Sequence, residues 1–133
     1  MKTTFGRVII LVEDYDAAFD FYHSNFFCEK LFDAEVSSNK RFMHIRFSAD
    51  DNVGIWFLQA EGKDQKALLG KQTGGQPTVV IYTDDCRKLY EHIKANGVEI
   101  IEPIASSDGS TYFHCADLYG NRITVVELGM TGK

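Results

Sequence analysis

The chemistry open to this chain rests on two histidines, His44 and His114, two arginines, Arg7 and Arg46, and the aromatic side chains Trp56, Tyr82 and Tyr112. A histidine on a strand can act as a general base or as half of a metal-binding pair, although a lone one is more often a satisfied, half-buried residue. Arginine presents a planar fork to a carboxylate or phosphate, and its plainer use is pairing with a surface acid. Trp and Tyr offer stacking faces, so Trp56 either walls a pocket or fills the volume a ligand would need. His23 and His92 fall on helical stretches and read as solvent-side. Cys28, Cys86 and Cys115 have neither metal-like spacing nor a neighbouring base, and read as buried, inert thiols. Asp117 reads as a turn-former, not an acid catalyst. No G-x-S-x-G, P-loop or dinucleotide fingerprint is present.

The chain's bulk properties narrow the partners. Its 133 residues suit one domain with a sizeable core, and 44% apolar with 13% aromatic residues is a globular composition. A net charge of −5 argues against nucleic acid or an anionic membrane surface as partner, since basic patches recognise both. No apolar run is long enough to span a bilayer, and Met1 to Arg7 lacks the character of a signal peptide. Together with three free cysteines, this predicts a cytoplasmic protein.

The elements that must position the candidate residues follow from periodicity. Residues 7–12 predict a buried strand. Glu13-Asp14 caps a helix carrying Ala18, Phe19, Tyr22 and Phe26 at helical spacing. Strands follow over 27–35, 41–48 and 53–60, the last two joined by the turn-rich Ala49-Asp50-Asp51-Asn52. Residues 61–77 form the candidate linker, with room for a short helix over 64–69. The order then restarts: a strand over 78–83, a helix opened by Asp84-Asp85 and closed by Asn96-Gly97, and a strand over 98–104 in which Pro103 demands an edge or an end. Strands over 110–116 and 122–128 close the chain around the turn Asp117-Leu118-Tyr119-Gly120-Asn121.

This order is a repeat. Val8-Ile9-Ile10-Leu11-Val12-Glu13-Asp14 overlays Val79-Val80-Ile81-Tyr82-Thr83-Asp84-Asp85 at an offset of 71, and the hairpins overlay at 68, which sets Trp56 on Thr124 and Arg46 on His114. Two β-α-β-β-β units, each with a helix on one sheet face, leave the other faces free to curl round a shared concavity.

With both halves ending in that hairpin, the chain resembles the vicinal oxygen chelate (VOC) superfamily of glyoxalases, bleomycin resistance proteins and extradiol dioxygenases. The resemblance is carried by Val12-Glu13-Asp14 with Ala18-Phe19-Asp20-Phe21-Tyr22, and by Asp117-Leu118-Tyr119-Gly120-Asn121-Arg122-Ile123, which is similar to the family's DPDGN-type turn. It implies an α+β fold in which two βαβββ modules form a cup-shaped half-barrel, and a homodimer. The expected organisation is a single VOC domain over 1–133, with modules over 5–60 and 78–128 and a linker over 61–77. The family's enzymes hold a divalent metal through His and Glu on the first and last strands of each module. Carried over, those four positions are Arg7, Trp56, Thr78 and Thr124. None is a good ligand, and Glu127, three residues past the last position, turns to the opposite face because strand side chains alternate.

The expectation is therefore a cup without metal or other cofactor. Alternation from Arg7, Trp56, Thr78 and Thr124 adds Tyr82 to its lining. The family turn adds Tyr112 and His114, and the repeat adds His44 and Arg46. Such a lining points to a small-molecule-binding protein that holds a planar or anionic ligand, an antibiotic among the possibilities, without making or breaking a bond. The alternative is a lyase, isomerase or dioxygenase of the same superfamily with displaced metal ligands or a histidine base.

Overall fold

A computed structural model describes residues 1–37 and 40–129. Residues 38–39 and 130–133, which the expected span 1–133 takes in, lie outside the described residues. The chain divides into two compact units, Met1–Leu69 and Gly70–Lys133.

In the first unit, β1 (Arg7–Val12) leads into α1 (Tyr15–Phe26), followed by β2 (Glu29–Ser37), β3 (Lys40–Arg46), β4 (Gly54–Gln59) and the short α2 (Gly62–Lys66). The sheet order is β1-β4-β3-β2, with β1 and β4 parallel and the other pairs antiparallel. Asp14 starts α1 by accepting the Ala17 N–H on its carboxylate at 3.0 Å. The helix buries Ala18, Tyr22 and Phe26, spaced four apart, against Ile10, Val12, Met43, Ile45, Ile55 and Phe57. Tyr22 anchors this core, its ring 5.7 Å from that of Phe57. Phe19, expected beside them, is only half-buried: its ring stacks on His23 and lies under the Lys30 ammonium.

Phe27 stops α1 with φ at 62°, while its N–H and that of Cys28 return to the carbonyls of His23 and Tyr22. Left-handed backbone is costly for a side chain with a Cβ, and the Phe27 ring is 63% exposed. Phe27→Gly is therefore expected to raise the unfolding free energy by about 0.5–1 kcal/mol, read as a higher urea midpoint. An unchanged or lower midpoint would mean that the exposed ring contributes more than its backbone conformation costs.

The second unit repeats the plan: β5 (Pro77–Tyr82), α3 (Cys86–Ala95), β6 (Ile100–Ser107), β7 (Ser110–Ala116) and β8 (Arg122–Leu128), in the order β5-β8-β7-β6. Asp85 caps α3 as Asp14 caps α1, through the Lys88 N–H at 3.0 Å. Tyr90 and Ile93 pack with Phe113, Cys115, Ile123 and Val125. Pro103 sits in the edge strand β6, where the pairing skips from Glu102 to Ala105, so its missing N–H breaks no ladder bond. All three cysteines are free and buried, and burial pushes the Cys86 thiol up to about 11 and Cys115 to about 12. No described helix is long and apolar enough to cross a membrane.

One sequence overlay needs correcting. Trp56 pairs with His44, and Thr124 with His114, so the third strands match at an offset of 70 and His44, not Arg46, is the counterpart of His114. Residues 47–53 between β3 and β4 outnumber residues 117–121 between β7 and β8 by two, which shifts the register. Because the error is even, each residue keeps its expected sheet face.

Candidate ligand-binding site

Strand alternation sends one set of side chains to each helix and the other set to the opposite sheet face. In the first unit that opposite face carries a cross-strand row, Ile9–Trp56–His44–Phe32, set by the pairing of β1, β4, β3 and β2. The His44 ring lies between its neighbours, with centroids 5.0 Å from Trp56 and 5.8 Å from Phe32. Arg7 reaches across β4, and its Nε–H donates to His44 Nδ1 at 3.2 Å. Its Nη1 donates to the Gly6 and Asn52 carbonyls. Burial, then the Arg7 charge, lowers the His44 pKa below its ordinary value, so the ring is neutral at pH 7. Arg46 is paired with Glu29, Nε to Oε1 at 2.7 Å.

Trp56 also walls a cavity of about 390 Å³ with Leu11, Phe42, Leu58, Tyr15 and Gln59. Phe42 meets the indole edge-on at 5.7 Å. Arg41 forms one border, but both edges of its guanidinium are engaged by Asp33 and Asp16 at 2.8–3.1 Å. Those bonds hold the Asp33 carboxyl well below the usual carboxylate range. Lys40, also on the border, is exposed. Phe42 and Lys40 were absent from the sequence-derived set, although counting back by twos from His44 places both on the same face.

The second unit carries the corresponding row Val80–Thr124–His114–Glu102. His114 Nδ1 lies 2.8 Å from the Thr124 hydroxyl, and its Nε2 lies 3.2 Å from Glu102. The Nδ1 contact with the hydroxyl is a hydrogen bond, and the Nε2 approach to the carboxylate becomes an ion pair when the ring is protonated. Burial first, and Arg122 next, lower the His114 pKa, while Glu102 raises it. Glu102 also pairs with Arg122. Tyr112 approaches His114 edge-on at 6.1 Å. Thr78 lies at the start of β5, its hydroxyl 3.2 Å from that of Thr73, and Tyr82 at the strand's other end is strongly exposed. Glu127 points to the helix side, where its carboxylate accepts the Cys86 N–H at 2.7 Å at the start of α3. The structure thus gathers Arg7, His44 and Trp56 in one unit and Tyr112, His114 and Thr124 in the other. Arg46, Thr78 and Tyr82 hold separate positions.

Two mixed four-stranded sheets, each built β-α-β-β-β, agree with a match over residues 4–125 to the model of the Glyoxalase/Bleomycin resistance protein/Dioxygenase superfamily. The chain belongs to this superfamily. An uncharacterized protein from Shewanella frigidimarina (strain NCIMB 400) is 26% identical over 129 residues, 96% of either chain. The crystal structure of UcmS2 superposes with a TM-score of 0.82 at 20% identity, covering 95% of this chain and 98% of that one. TnmS3, an antibiotic binding protein from Streptomyces sp. CB03234, superposes with a TM-score of 0.75 at 15% identity, over 96% and 98% of the two chains. At such identities these likenesses speak for the glyoxalase/bleomycin resistance fold.

The positions at which superfamily enzymes are expected to hold a metal do not fit one here. Arg7 brings a guanidinium to within hydrogen-bond distance of His44, and the Trp56 indole nitrogen is a donor without a lone pair to share. The Thr124 hydroxyl is engaged by His114, and Thr78 contributes only a neutral hydroxyl. Among the described residues no three His, Cys, Asp or Glu side chains gather in a way that could hold a metal ion.

Proposed function

We propose that this superfamily member is a metal-free binding protein of the cytoplasm, working as a homodimer, that holds a small planar or anionic molecule against its Trp56 face. The observation that carries this reading is the Trp56 ring, which walls a cavity of about 390 Å³ beside Phe42, Leu11 and Leu58, at the position where the family resemblance implies a metal carboxylate. Such a wall encloses and stacks, whereas a metal site polarises. In the first unit Arg7 and His44 stand beside Trp56, and in the second unit Tyr112, His114 and Thr124 form a group of their own. TnmS3, as an antibiotic binding protein, supplies a first class of ligand to screen. An enzyme using a histidine base is disfavoured because the Nδ1 of each ring already has a partner, Arg7 for His44 and Thr124 for His114.

Trp56 is the sole tryptophan, so its emission reports the site directly. A panel of planar acids and aromatic antibiotics is expected to yield compounds that quench or shift that emission. At a hundredfold excess over Kd, such a compound stabilises the fold by about 2.7 kcal/mol. Ni, Zn, Mn and Fe(II) salts are expected to leave the melting temperature unchanged. A stoichiometric, stabilising metal would sink the reading, as would a silent Trp56 across the panel.

A further inference from the structure

Two hollows meet at one end of the first sheet. The Trp56 cavity takes its apolar wall from Leu11, Phe42, Trp56 and Leu58. A second hollow, of about 430 Å³, adds Glu35 and Ser37, and both are bordered by Lys40, Arg41 and Glu61. Most polar groups on that shared border are committed. Tyr15 Oη accepts the Gln59 N–H at 3.1 Å, and the Gln59 amide donates to the Glu13 carbonyl at 3.0 Å. Gln65 accepts the Glu61 backbone N–H at 2.9 Å, and Arg41 is held by Asp33 and Asp16. Two side chains are left over. The Lys40 ammonium and the Glu61 carboxylate are both exposed, and neither forms a hydrogen bond or ion pair among the described residues. Glu61 even stands at the N-cap of α2, where a carboxylate commonly bonds to the backbone ahead of it, and makes no such bond.

One uncommitted charge of each sign, on the rim of an aromatic-walled cavity, discriminates between ligands. A planar acid meets Lys40, but it also meets Glu61, with Glu35 beyond it. A planar amine meets Glu61, but it also meets Lys40. A molecule bearing both groups turns each repulsion into an attraction. We infer that the ligand of the Trp56 cavity is amphoteric: an aromatic body against Trp56 and Phe42, an acidic group on Lys40 and a basic group on Glu61. Arg41 does not compete for the acid, because its guanidinium is already bonded to two carboxylates. This inference rests on the binding reading above and adds to it the ligand's charge pattern, in which an anionic group alone is not enough.

The test uses the full-length, 15N-labelled protein and three soluble probes with one ring system: 2-naphthylalanine, which carries both charges, 2-naphthylpropionate, which lacks the ammonium, and 2-naphthylethylamine, which lacks the carboxylate. Titration of the Trp56 indole 15N–1H resonance at pH 7 reads each affinity. Naphthylalanine is expected to bind about fivefold tighter than either single-charge probe, the gain that one partly exposed ion pair supplies. Lys40→Gln is expected to erase its advantage over the amine, and Glu61→Gln its advantage over the propionate. Lys40→Arg is expected to keep both. Lys40 and Glu61 are exposed, so the variants stay folded. Equal binding of the three probes overturns the inference, as does tighter binding of the propionate or a preference that survives either glutamine substitution. Each of these outcomes leaves enclosure by Trp56 intact. Binding of none of the probes overturns both readings.

Discussion

Replacing Asp117 by alanine is expected to lower the unfolding free energy by about 3 kcal/mol, whereas Asp117→Asn is expected to cost no more than about 1 kcal/mol. The buried carboxylate of Asp117 accepts at three points, each at 2.9 Å: the Tyr119 and Asn121 backbone N–H groups on Oδ1, and the Asn121 side-chain amide on Oδ2. Alanine strands all three donors, two of them on Asn121, which is fully buried. Asparagine keeps the Oδ1 acceptor and turns an amide toward Asn121. Asn121 can answer by rotating its own amide, because its Oδ1 is buried without a partner in the native protein. One unpaired atom is exchanged for another and the total is unchanged. Urea unfolding followed by far-ultraviolet circular dichroism separates the two variants. Equal losses for both would show that the charge, not the acceptor geometry, holds the turn.

Gly54→Ala is expected to cost about 3 kcal/mol, at the upper end of overpacking in a well-packed interior, and to displace Trp56. A Cβ at Gly54 would lie 2.1 Å from the Ile45 carbonyl oxygen and 3.2 Å from Leu31 Cδ1. Leu31 can rotate away. The carbonyl cannot, because Ile45 is tied into the ladder opposite Ile55. Relief therefore requires the start of β4 to part from β3, and Trp56 lies two residues along. Denaturation followed by Trp56 emission reads the stability loss and the altered indole environment together. A variant with native emission and a native midpoint would mean that the strand absorbs a methyl group at no cost.

The two variants probe different levels of legibility. Asp117 and Gly120 announced a turn through residue type alone, and the structure has Gly120 at φ 96°. Asn121, by contrast, reads from sequence as a second residue tolerant of left-handed backbone. In the structure it lies outside that region, and its amide is the buried partner of Asp117. Gly54 carries no signal in sequence beyond the absence of a side chain. Its necessity comes from the Ile45 carbonyl, which another strand brings to it.

The same division runs through the candidate site. Which face each strand residue occupies was legible, because alternation is a property of a single extended chain and survives any even error in register. The resemblance supplied the anchors Trp56 and Thr124 and placed His114, the repeat placed His44, and the even error in that overlay left His44 on the face expected for it. The two capped helices, and the unsuitability of Arg7 and Trp56 as metal ligands, were equally local and equally legible. Partners were not. That Arg7 donates to His44, that Arg46 is held by Glu29, and that His114 has Glu102 where His44 has only Phe32 all depend on inter-strand register. Loop lengths and bulges between distant segments set that register, and no single stretch of sequence carries it. Local chain chemistry was enough for a repeated βαβββ scaffold and the faces of its strands; which polar groups on those faces find partners followed from how the strands pair.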